Sequence, residues 1–172
     1  MEHTIDGEKL LCRITETEAY TGIEDKACHA YGGKKTQRTQ ALYLEGGHAY
    51  VYLIYGMYYC MNIVTEKEGT PCAVLIRGGE PIKGLDKIAS LRYKKPYHEL
   101  TKTQLKNLLN GPGKFCIGMG ITKEQNKQSL LHVPFTLYEN ENESKPHIGS
   151  GLRINIDYAE EYALKPWRFF IQ

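Results

Sequence analysis

Two glutamates in the stretch ETEAY, residues 16–20, have the residue type and spacing of a catalytic pair. The surrounding run alternates as a β-strand does, so Glu16, Glu18 and Tyr20 are predicted to project from one face. Residues two apart on a strand lie about 6–7 Å apart at their Cα atoms, near the carboxylate separation of enzymes that cleave glycosidic bonds. The same pattern is also typical of an exposed sheet edge that carries Glu and Thr without any chemistry.

Three other polar residues occur where the surrounding sequence is apolar or rich in turns. Arg77 follows the apolar run CAVLI and needs a phosphate or an anionic partner, because an unpaired buried charge is very costly; a structural ion pair is the alternative. Asn62 ends an apolar run, where an amide must find hydrogen bonds or line a pocket. His29 lies in a Gly-rich loop and could stack on a ligand, donate a hydrogen bond or simply be exposed. Cys28 precedes it, but nothing nearby completes a metal site, so no metal is predicted.

The segment GHAYVYLIYGMYYCMN, residues 47–62, holds five of the chain's 13 tyrosines. A phenol joins a flat apolar ring to a polar tip and therefore suits the wall of a half-wet pocket. Such rings can stack on a nucleobase for about 1–3 kcal/mol per base. A carboxylate, an arginine, an amide and aromatic rings around one cavity indicate a base pocket. A base taken from a duplex must first be flipped out of the stack, at a cost of roughly a few kcal/mol.

Turn signals indicate which elements carry these residues in the first half of the chain. The dipeptide Asp6-Gly7 predicts a hairpin that leads into the strand with the glutamate pair. A turn-rich, polar loop with little regular structure is predicted to follow that strand. The tyrosine segment predicts two strands, or one strand kinked at Gly56. Residues 71–81 predict a short buried strand with Arg77 at its end.

The second half is more helical. Residues 82–130 are helical in character, with helix-start signals at Thr101 and Thr122. Residues 140–147 are typical of an exposed loop, and residues 151–171 predict strand, turn and strand. No internal repeat or long linker divides the chain. The sequence therefore predicts an α+β fold: one mixed domain with a curved, mostly antiparallel β-sheet and surrounding helices.

Composition restricts the class of protein. The 41% hydrophobic and 24% charged fractions are ordinary for a soluble globular protein, and no apolar run approaches the roughly 20 residues that cross a bilayer. Five scattered cysteines lack the C-x-x-C spacing and are predicted to be reduced, in a reducing cytosol. The net charge of +2 is too small to indicate a nucleic-acid partner. Basic residues cluster at 34–38 and 83–106, however, where they could either meet phosphates or form a solvated helical face.

Five segments, in order over nearly the whole chain, resemble the alkyladenine (3-methyladenine) DNA glycosylase family. They are RITETEAYTGIEDKACHAYGGKKTQRT, HAYVYLIYGMYYCMNIVT, AVLIRGGEPIKG, GPGKFCIGMGI and YALKPWRFFI. The pattern YVYxIYGMYxCMN is the most specific of them. Members of this family are monofunctional enzymes that remove alkylated purines from DNA. The resemblance implies that residues 1–172 form a single DNA glycosylase domain.

The resemblance assigns catalytic roles by position. Glu18 matches the family's general base, which activates the attacking water. Arg77 matches the arginine that helps to hold that water and the adjacent phosphate. The main chain at Ile154 matches a carbonyl contact to the same water.

The resemblance also assigns the residues that receive the base. Tyr20, His29 and Tyr52 match the rings that sandwich the flipped base. Tyr55 matches the tyrosine that intercalates in the gap left in the duplex. Asn62 matches the amide that crowds the 2-amino group of guanine and so guards against normal bases.

The chain departs from the family pattern in two places. In the basic loop, Lys34, Lys35 and Arg38 match backbone contacts to DNA, but Gln37 and Thr39 replace a Pro and an Asn of the commoner sequence. The chain opens at MEHTIDG, so a helix and a strand that usually precede this point in the family are expected to be missing here.

The resemblance implies no cofactor, and a double-stranded DNA substrate that contains alkylated or deaminated purines. It also implies a monomer that acts in the bacterial cytosol, with no membrane partner. Two alternatives remain open at this point. One is a catalytically inactive relative that binds damaged DNA, and the other is a sugar hydrolase that uses Glu16 and Glu18 as its pair.

Overall fold

In the computed structural model, which describes residues 1–139 and 145–172, nine strands form one curled sheet. Every strand pairing in it is antiparallel. The strands are β1 (Glu2–Ile5), β2 (Glu8–Tyr20), β3 (Ala49–Ile54), β4 (Tyr58–Val64), β5 (Ala73–Lys83), β6 (Leu131–His132), β7 (Phe135–Thr136), β8 (Ile148–Gly151) and β9 (Arg168–Ile171). They run in the order β3-β4-β5-β2-β1-β7-β6, and β9 pairs with both β2 and β8. The predicted α+β class and antiparallel sheet are confirmed.

Three α-helices accompany the sheet in the described residues: α1 (Leu85–Tyr93), α2 (Lys102–Lys106) and α3 (Pro112–Gly118). Short 3₁₀ helices cover Gly22–Glu24, Tyr31–Gly33, Gln40–Tyr43, Tyr97–Glu99, Lys123–Gln125 and Asp157–Leu164. Thr101 and Thr122 each begin a helix with a capping box, as their sequence pattern predicts, because each also exchanges hydrogen bonds with a Gln three residues later. The loop after β2 contains only 3₁₀ turns, in agreement with the prediction of little regular structure.

The main core lies where α1 and α3 pack against the long strands β2, β4 and β5. Side chains with no exposed surface there include Leu10, Met61, Ile88, Phe115 and Met119. A second, smaller cluster lies between the tyrosine strands and the loop that follows β2. All five cysteines are free thiols, and four of them are buried. The sheet therefore has helices packed on it in one place and the loop after β2 in another.

In the first half of the chain the predicted strands are confirmed, except that β5 does not end at Arg77. A hairpin at Asp6-Gly7 joins β1 to β2, and the tyrosine segment forms two strands rather than one kinked strand. Arg77 does not end a short strand, because β5 continues for six residues beyond it. The sequence GGEP after Arg77 is typical of the end of a strand. Gly79 is nevertheless needed within β5, because a Cβ there would lie 2.9 Å from the Phe115 ring.

The C-terminal prediction is partly wrong. Residues 152–156, which contain the motif RINI, form no strand, and a 3₁₀ helix follows them before β9. The first strand of this region, β8, comes earlier than predicted. Of the loop predicted over 140–147, residues 140–144 lie outside the described part of the chain.

Irregular pairing between β2 and β5 sets the direction of Arg77. Glu16 pairs with Gly78 while Thr17 pairs with Ile76, so Arg77 is the extra residue of a β-bulge. Bulges bend a strand and re-aim a side chain, and they occur often beside active sites. Here the bulge brings the Arg77 side chain to the carboxylates of β2.

Candidate active site

A cavity of about 340 Å³ lies between the sheet and the loops that follow β2 and β8, within the usual size of a small-ligand site. It brings together eight of the residues that the sequence singles out. These are Glu18, Tyr20, His29, Tyr52, Tyr55, Asn62, Arg77 and Ile154. They come from β2, β3, β4, β5 and three connecting segments, so only the folded chain makes them neighbours.

Glu18 has no exposed surface and is held at the floor of this cavity by two hydrogen bonds and an ion pair. The N–H of Ile154 donates to its Oε1 at 2.8 Å, and the hydroxyl of Tyr20 donates to its Oε2 at 2.9 Å. Nη1 of Arg77 lies 3.3 Å from Oε1. A carboxylate offers about four acceptor positions, so the two hydrogen bonds leave room for a further donor such as a water. The resemblance implies a contact of the Ile154 carbonyl with the attacking water, which stays a prediction; the contact in the structure is made by the Ile154 N–H, which donates to Glu18.

Arg77 is shared between the two glutamates of β2. Its Nε donates to Oε1 of Glu16 at 3.0 Å, and the same oxygen accepts from Nη1 of Arg168 at 3.1 Å. Glu16 is therefore engaged by two guanidinium groups. This arrangement does not fit the pairing of Glu16 with Glu18 as acid and base of a sugar hydrolase. The contact of Glu16 with Arg77 instead fits the role of a residue that orients the Arg77 side chain.

Tyr20 is fixed by a buried ion pair behind it. The two terminal nitrogens of Arg153, Nη1 and Nη2, donate to Asp25 at 2.6 and 2.9 Å, and neither side chain has exposed surface. The Arg153 guanidinium lies 4.8 Å from the centre of the Tyr20 ring and 5.0 Å from that of Trp167. Burial, together with the neighbouring Glu18 carboxylate, raises the pKa of Tyr20, so its hydroxyl remains a donor to Glu18.

Three aromatic rings form the opposite wall. The His29 ring meets the Tyr52 ring edge-on, with centroids 4.6 Å apart, and Tyr50 lies 5.3 Å from Tyr52. Nδ1 of His29 lies 2.8 Å from the hydroxyl of Tyr50. Burial, with a smaller effect of the Arg38 charge, lowers the pKa of His29 to about 4, so the imidazole is neutral near pH 7. Burial also raises the pKa of Tyr52.

Asn62 is 4% exposed and faces the cavity from β4. Its Nδ2 donates to the carbonyl oxygen of Tyr50 at 3.3 Å, across the β3–β4 pair. The bond fixes the amide orientation, because the nitrogen is committed to the main chain of the neighbouring strand. The amide therefore presents a fixed polar surface to whatever enters.

Tyr55 stands at the tip of the β3–β4 hairpin, beside the cavity mouth. It is 72% exposed, and both it and Gly56 have positive φ, at 54° and 67°. Positive φ at both central positions is the requirement of a type I′ turn, and a bulky residue rarely meets it. Met57 beside it is 68% exposed. The hairpin thus holds a large ring in solvent at some conformational cost.

The basic loop lies outside the cavity. Lys34, Lys35 and Arg38 are exposed and do not line it. The Arg38 charge lies close to the aromatic wall, because its guanidinium is 5.2 Å from the centre of the Tyr52 ring. Lys35 Nζ lies 5.1 Å from the centre of the Tyr43 ring, which does not line the cavity. Thr39, which replaces the usual Asn, is buried and accepts from the N–H of Thr36, so it closes the turn of this loop.

Several residues of the site were not identified from sequence. Tyr50 shares a strand face with Tyr52, and that period-two spacing could have indicated it. Asp25, Arg153 and Arg168 gave no signal, because each meets a partner more than 100 residues away. Tyr58, which also belongs to the tyrosine segment, is 43% exposed and lines the cavity.

In the part of the chain that the structure describes, no group of three or more His, Cys, Asp or Glu side chains is arranged to hold a metal ion. No helix there is long and apolar enough to cross a membrane.

Comparison with known proteins identifies the family. A family model described as methylpurine-DNA glycosylase matches residues 1–172. A protein of Clostridium tetani is 52% identical over 168 residues, which are 98% of this chain and 83% of that protein. Proteins of Desulfitobacterium hafniense and Clostridium acetobutylicum are 48% and 51% identical over 170 residues, which are 99% of this chain and 83% and 82% of theirs. Each of the three carries the name "Putative 3-methyladenine DNA glycosylase". The chain therefore belongs to the methylpurine-DNA glycosylase family, DNA-repair enzymes that hydrolyse the N-glycosyl bond of alkylated purines.

Proposed function

We propose that Glu18 is the general base with which this glycosylase releases 3-methyladenine and related purines from DNA. The observation that supports this most is the state of Glu18 itself: a fully buried carboxyl group that lines an aromatic cavity and is oriented by two hydrogen bonds and an ion pair with Arg77. A water bound there gives its proton to Glu18 and attacks C1′ of the deoxyribose. The glycosidic bond breaks, and its electron pair leaves with the base.

The leaving group explains why one carboxylate is sufficient. A purine alkylated at N3 or N7 already carries a positive charge, so it departs as a neutral base without a strong general acid. Electron-rich rings around the cavity attract that charge by cation–π interaction. No lysine lines the cavity among the described residues, so the reaction is simple hydrolysis that leaves an abasic site.

The remaining site residues act on the DNA. Tyr20, His29 and Tyr52 stack on the flipped base, and Asn62 crowds the 2-amino group of guanine. Tyr55 fills the gap in the duplex, a role that fits its exposed position at a hairpin tip. Arg77 helps to hold the water and the adjacent phosphate, and its contacts with both glutamates of β2 fit this role.

The same proposal extends to the DNA backbone contacts, the domain organisation and the place of action. Lys34, Lys35 and Arg38 contact the DNA backbone beside the cavity. Residues 1–172 work as one glycosylase domain and as a monomer, on alkylated and deaminated purines in duplex DNA. The place of action is the bacterial cytosol.

The test is base release from duplex DNA treated with a methylating agent, with Glu18→Gln beside the wild type. The expected result is 3-methyladenine from the wild type and a rate about 10²–10⁴-fold lower from the variant, the usual contribution of a general base. Both proteins should bind a lesion-mimic duplex equally well. Exposed Glu124, changed to Gln, serves as the control and should release base normally.

Two outcomes contradict the proposal. Normal release by Glu18→Gln means that another group activates the water. Tight binding without release by the wild type identifies a damaged-DNA-binding protein without glycosylase activity.

A further inference from the structure

Asp25 and Arg153 form a buried ion pair that the proposed reaction does not use. Nη1 of Arg153 donates to Oδ2 of Asp25 at 2.6 Å and to the carbonyl oxygen of Ala19 at 2.8 Å. Nη2 donates to Oδ1 of Asp25 at 2.9 Å and to the carbonyl oxygen of Tyr162 at 3.1 Å. The pair therefore joins the end of β2, the loop that follows it and the 3₁₀ helix Asp157–Leu164.

Stability alone is a poor reason for such a pair. The loss of hydration when two charges are buried often cancels their attraction, so apolar side chains of similar volume would often stabilise the protein as much. Arg153 carries a further cost, because its Nε is buried without a hydrogen-bond partner among the described residues. The planar guanidinium donates in fixed directions, so the pair is better suited to fixing geometry.

Both hydrogen bonds that orient Glu18 come from groups that Arg153 holds. The first donor is the hydroxyl of Tyr20, whose ring centre lies 4.8 Å from the Arg153 guanidinium. The second donor is the N–H of Ile154, the residue that follows Arg153 in the chain. One guanidinium therefore holds the two groups that contact the carboxyl group.

The Ile154 N–H depends on side-chain anchors, because residues 152–156 form no strand or helix. Arg168 anchors this segment through one hydrogen bond, from its Nε to the carbonyl oxygen of Leu152 at 2.8 Å. Arg153 anchors it through four hydrogen bonds. Loss of the Arg153 contacts should therefore release the Ile154 N–H.

We propose that Arg153, fixed by Asp25, is a positioning residue for the catalytic base, because it sets both hydrogen bonds that aim the Glu18 carboxyl group at the attacking water. This proposal rests on the proposed function, since it takes Glu18 as the base. It goes further in assigning a role in the reaction rate to two side chains that do not line the cavity. Misplacement of a reacting group by about 1 Å can cost about 10²-fold in rate.

The first experiment reads the position of the Ile154 N–H, with no need for activity. Arg153→Lys keeps a positive charge beside Asp25 but loses the planar fork. Hydrogen exchange of the Ile154 amide, followed by NMR, should be about tenfold faster in this variant, the effect of one lost hydrogen bond. Amides of the β3–β4 pair should exchange as in the wild type. Unchanged exchange at Ile154, or equal acceleration in β3 and β4, would overturn the proposal.

The second experiment separates the chemical step from DNA binding. With enzyme in saturating excess over a methylated duplex, the rate constant of base release should fall about 10²-fold in Arg153→Lys. The dissociation constant of a lesion-mimic duplex should stay as it is in the wild type.

Lys26→Met is the matched control for this experiment. Lys26 joins the loop after β2 to the same 3₁₀ helix, through Glu160 and Glu161 at 2.6 and 2.9 Å, but on the protein surface. This variant should release base at the wild-type rate. A wild-type rate in Arg153→Lys, or an equal loss in Lys26→Met, would contradict the proposal.

A second variant keeps the test valid if a lysine at position 153 prevents folding. The double change of Asp25→Asn and Arg153→Met removes both charges together, so no uncompensated charge stays buried. The amide oxygen at position 25 can still accept from the N–H of Thr21 or Ala27. Release should again be about 10²-fold slower with unchanged DNA binding, and a wild-type rate would overturn the proposal.

A wild type that binds the lesion-mimic duplex but releases no base contradicts the proposed function. Exchange at Ile154 still decides in that case whether Arg153 positions its N–H. Failure of the positioning role and failure of the proposed function are therefore distinguishable.

Discussion

At His29, burial and the charge of Arg38 lower the pKa of the imidazole to about 4, against about 6.5 for an unperturbed histidine. The unfolded chain therefore binds more protons than the folded one between these two pH values. Stability from this group is complete above pH 6.5 and is lost as the pH falls toward 4. We expect the free energy of unfolding to fall by up to about 3 kcal/mol over this range on account of His29.

Urea unfolding at a series of pH values measures this effect. His29→Phe should show a shallower fall in stability between pH 6.5 and 4 than the wild type, and the difference isolates His29 from the carboxylates. His98 has a side chain that is 79% exposed, so His98→Asn should follow the wild-type curve. Parallel curves for the wild type and His29→Phe would show that the folded protein does not hold this imidazole neutral.

Residue type alone was enough to select several residues that line the cavity, and the reason is physical. A charged or amide side chain in an apolar run must find a partner or line a pocket, and Arg77 and Asn62 were selected on that ground. The roles assigned to individual residues came from the family resemblance and stay predictions. The contacts behind the site could not be predicted, because Glu16 meets Arg168 from 152 positions away. No local pattern encodes such a pairing.

At the scale of elements, the β3–β4 hairpin combines a strained turn with an exposed ring. The left-handed conformation of a residue other than glycine costs about 1–2 kcal/mol, so the positive φ of Tyr55 stores strain. Tyr55→Gly should raise the free energy of unfolding by about 1 kcal/mol. The same change removes the proposed wedge, so base release from duplex DNA should fall about tenfold, since the wedge offsets part of the unstacking cost.

The hairpin between β1 and β2 supplies a matched control. Asp6 also has a positive φ, of 53°, and its contact with Lys87 is exposed and contributes little. Asp6→Gly should therefore stabilise the protein to a similar extent and leave base release unchanged. Slower release in both variants would assign the effect of Tyr55 to altered stability rather than to the lost ring.

The sequence predicted which elements exist better than it predicted their irregularities. Alternation and turn residues located β1 to β4 because each strand has its own local pattern. The bulge at Arg77 depends on how β5 pairs with β2, and the close approach of Gly79 to Phe115 depends on α3. Both arise from packing between segments that are distant in sequence, so the segment after Arg77 was wrongly interpreted as the end of a strand.

At the scale of the whole molecule, the lysines near the two ends of β2 differ in whether they are paired with acids. Its 13 residues span about 40 Å, with Lys9 near one end and Glu18 near the other. The net charge of +2 is small, so any affinity for the DNA backbone must depend on where the charges lie. The exposed lysines 34 and 35 follow the end of β2 that carries Glu18, whereas Lys9 and Lys87 pair with acids near the far end.

Salt dependence of DNA binding separates local contacts from net charge. Each phosphate contact contributes about 0.9 to the slope of log K against log salt concentration, so changing Lys34 and Lys35 to Ala should reduce that slope by about 2. The double change of Lys9 and Lys87 to Ala removes the same net charge and should leave the slope as it is in the wild type. Equal reductions in the two double variants, measured by titration of a fluorescent duplex at several salt concentrations, would contradict a phosphate-binding role for the loop. A reduction in the first variant alone means that DNA lies across the loop beside the aromatic wall, where Arg38 meets Tyr52.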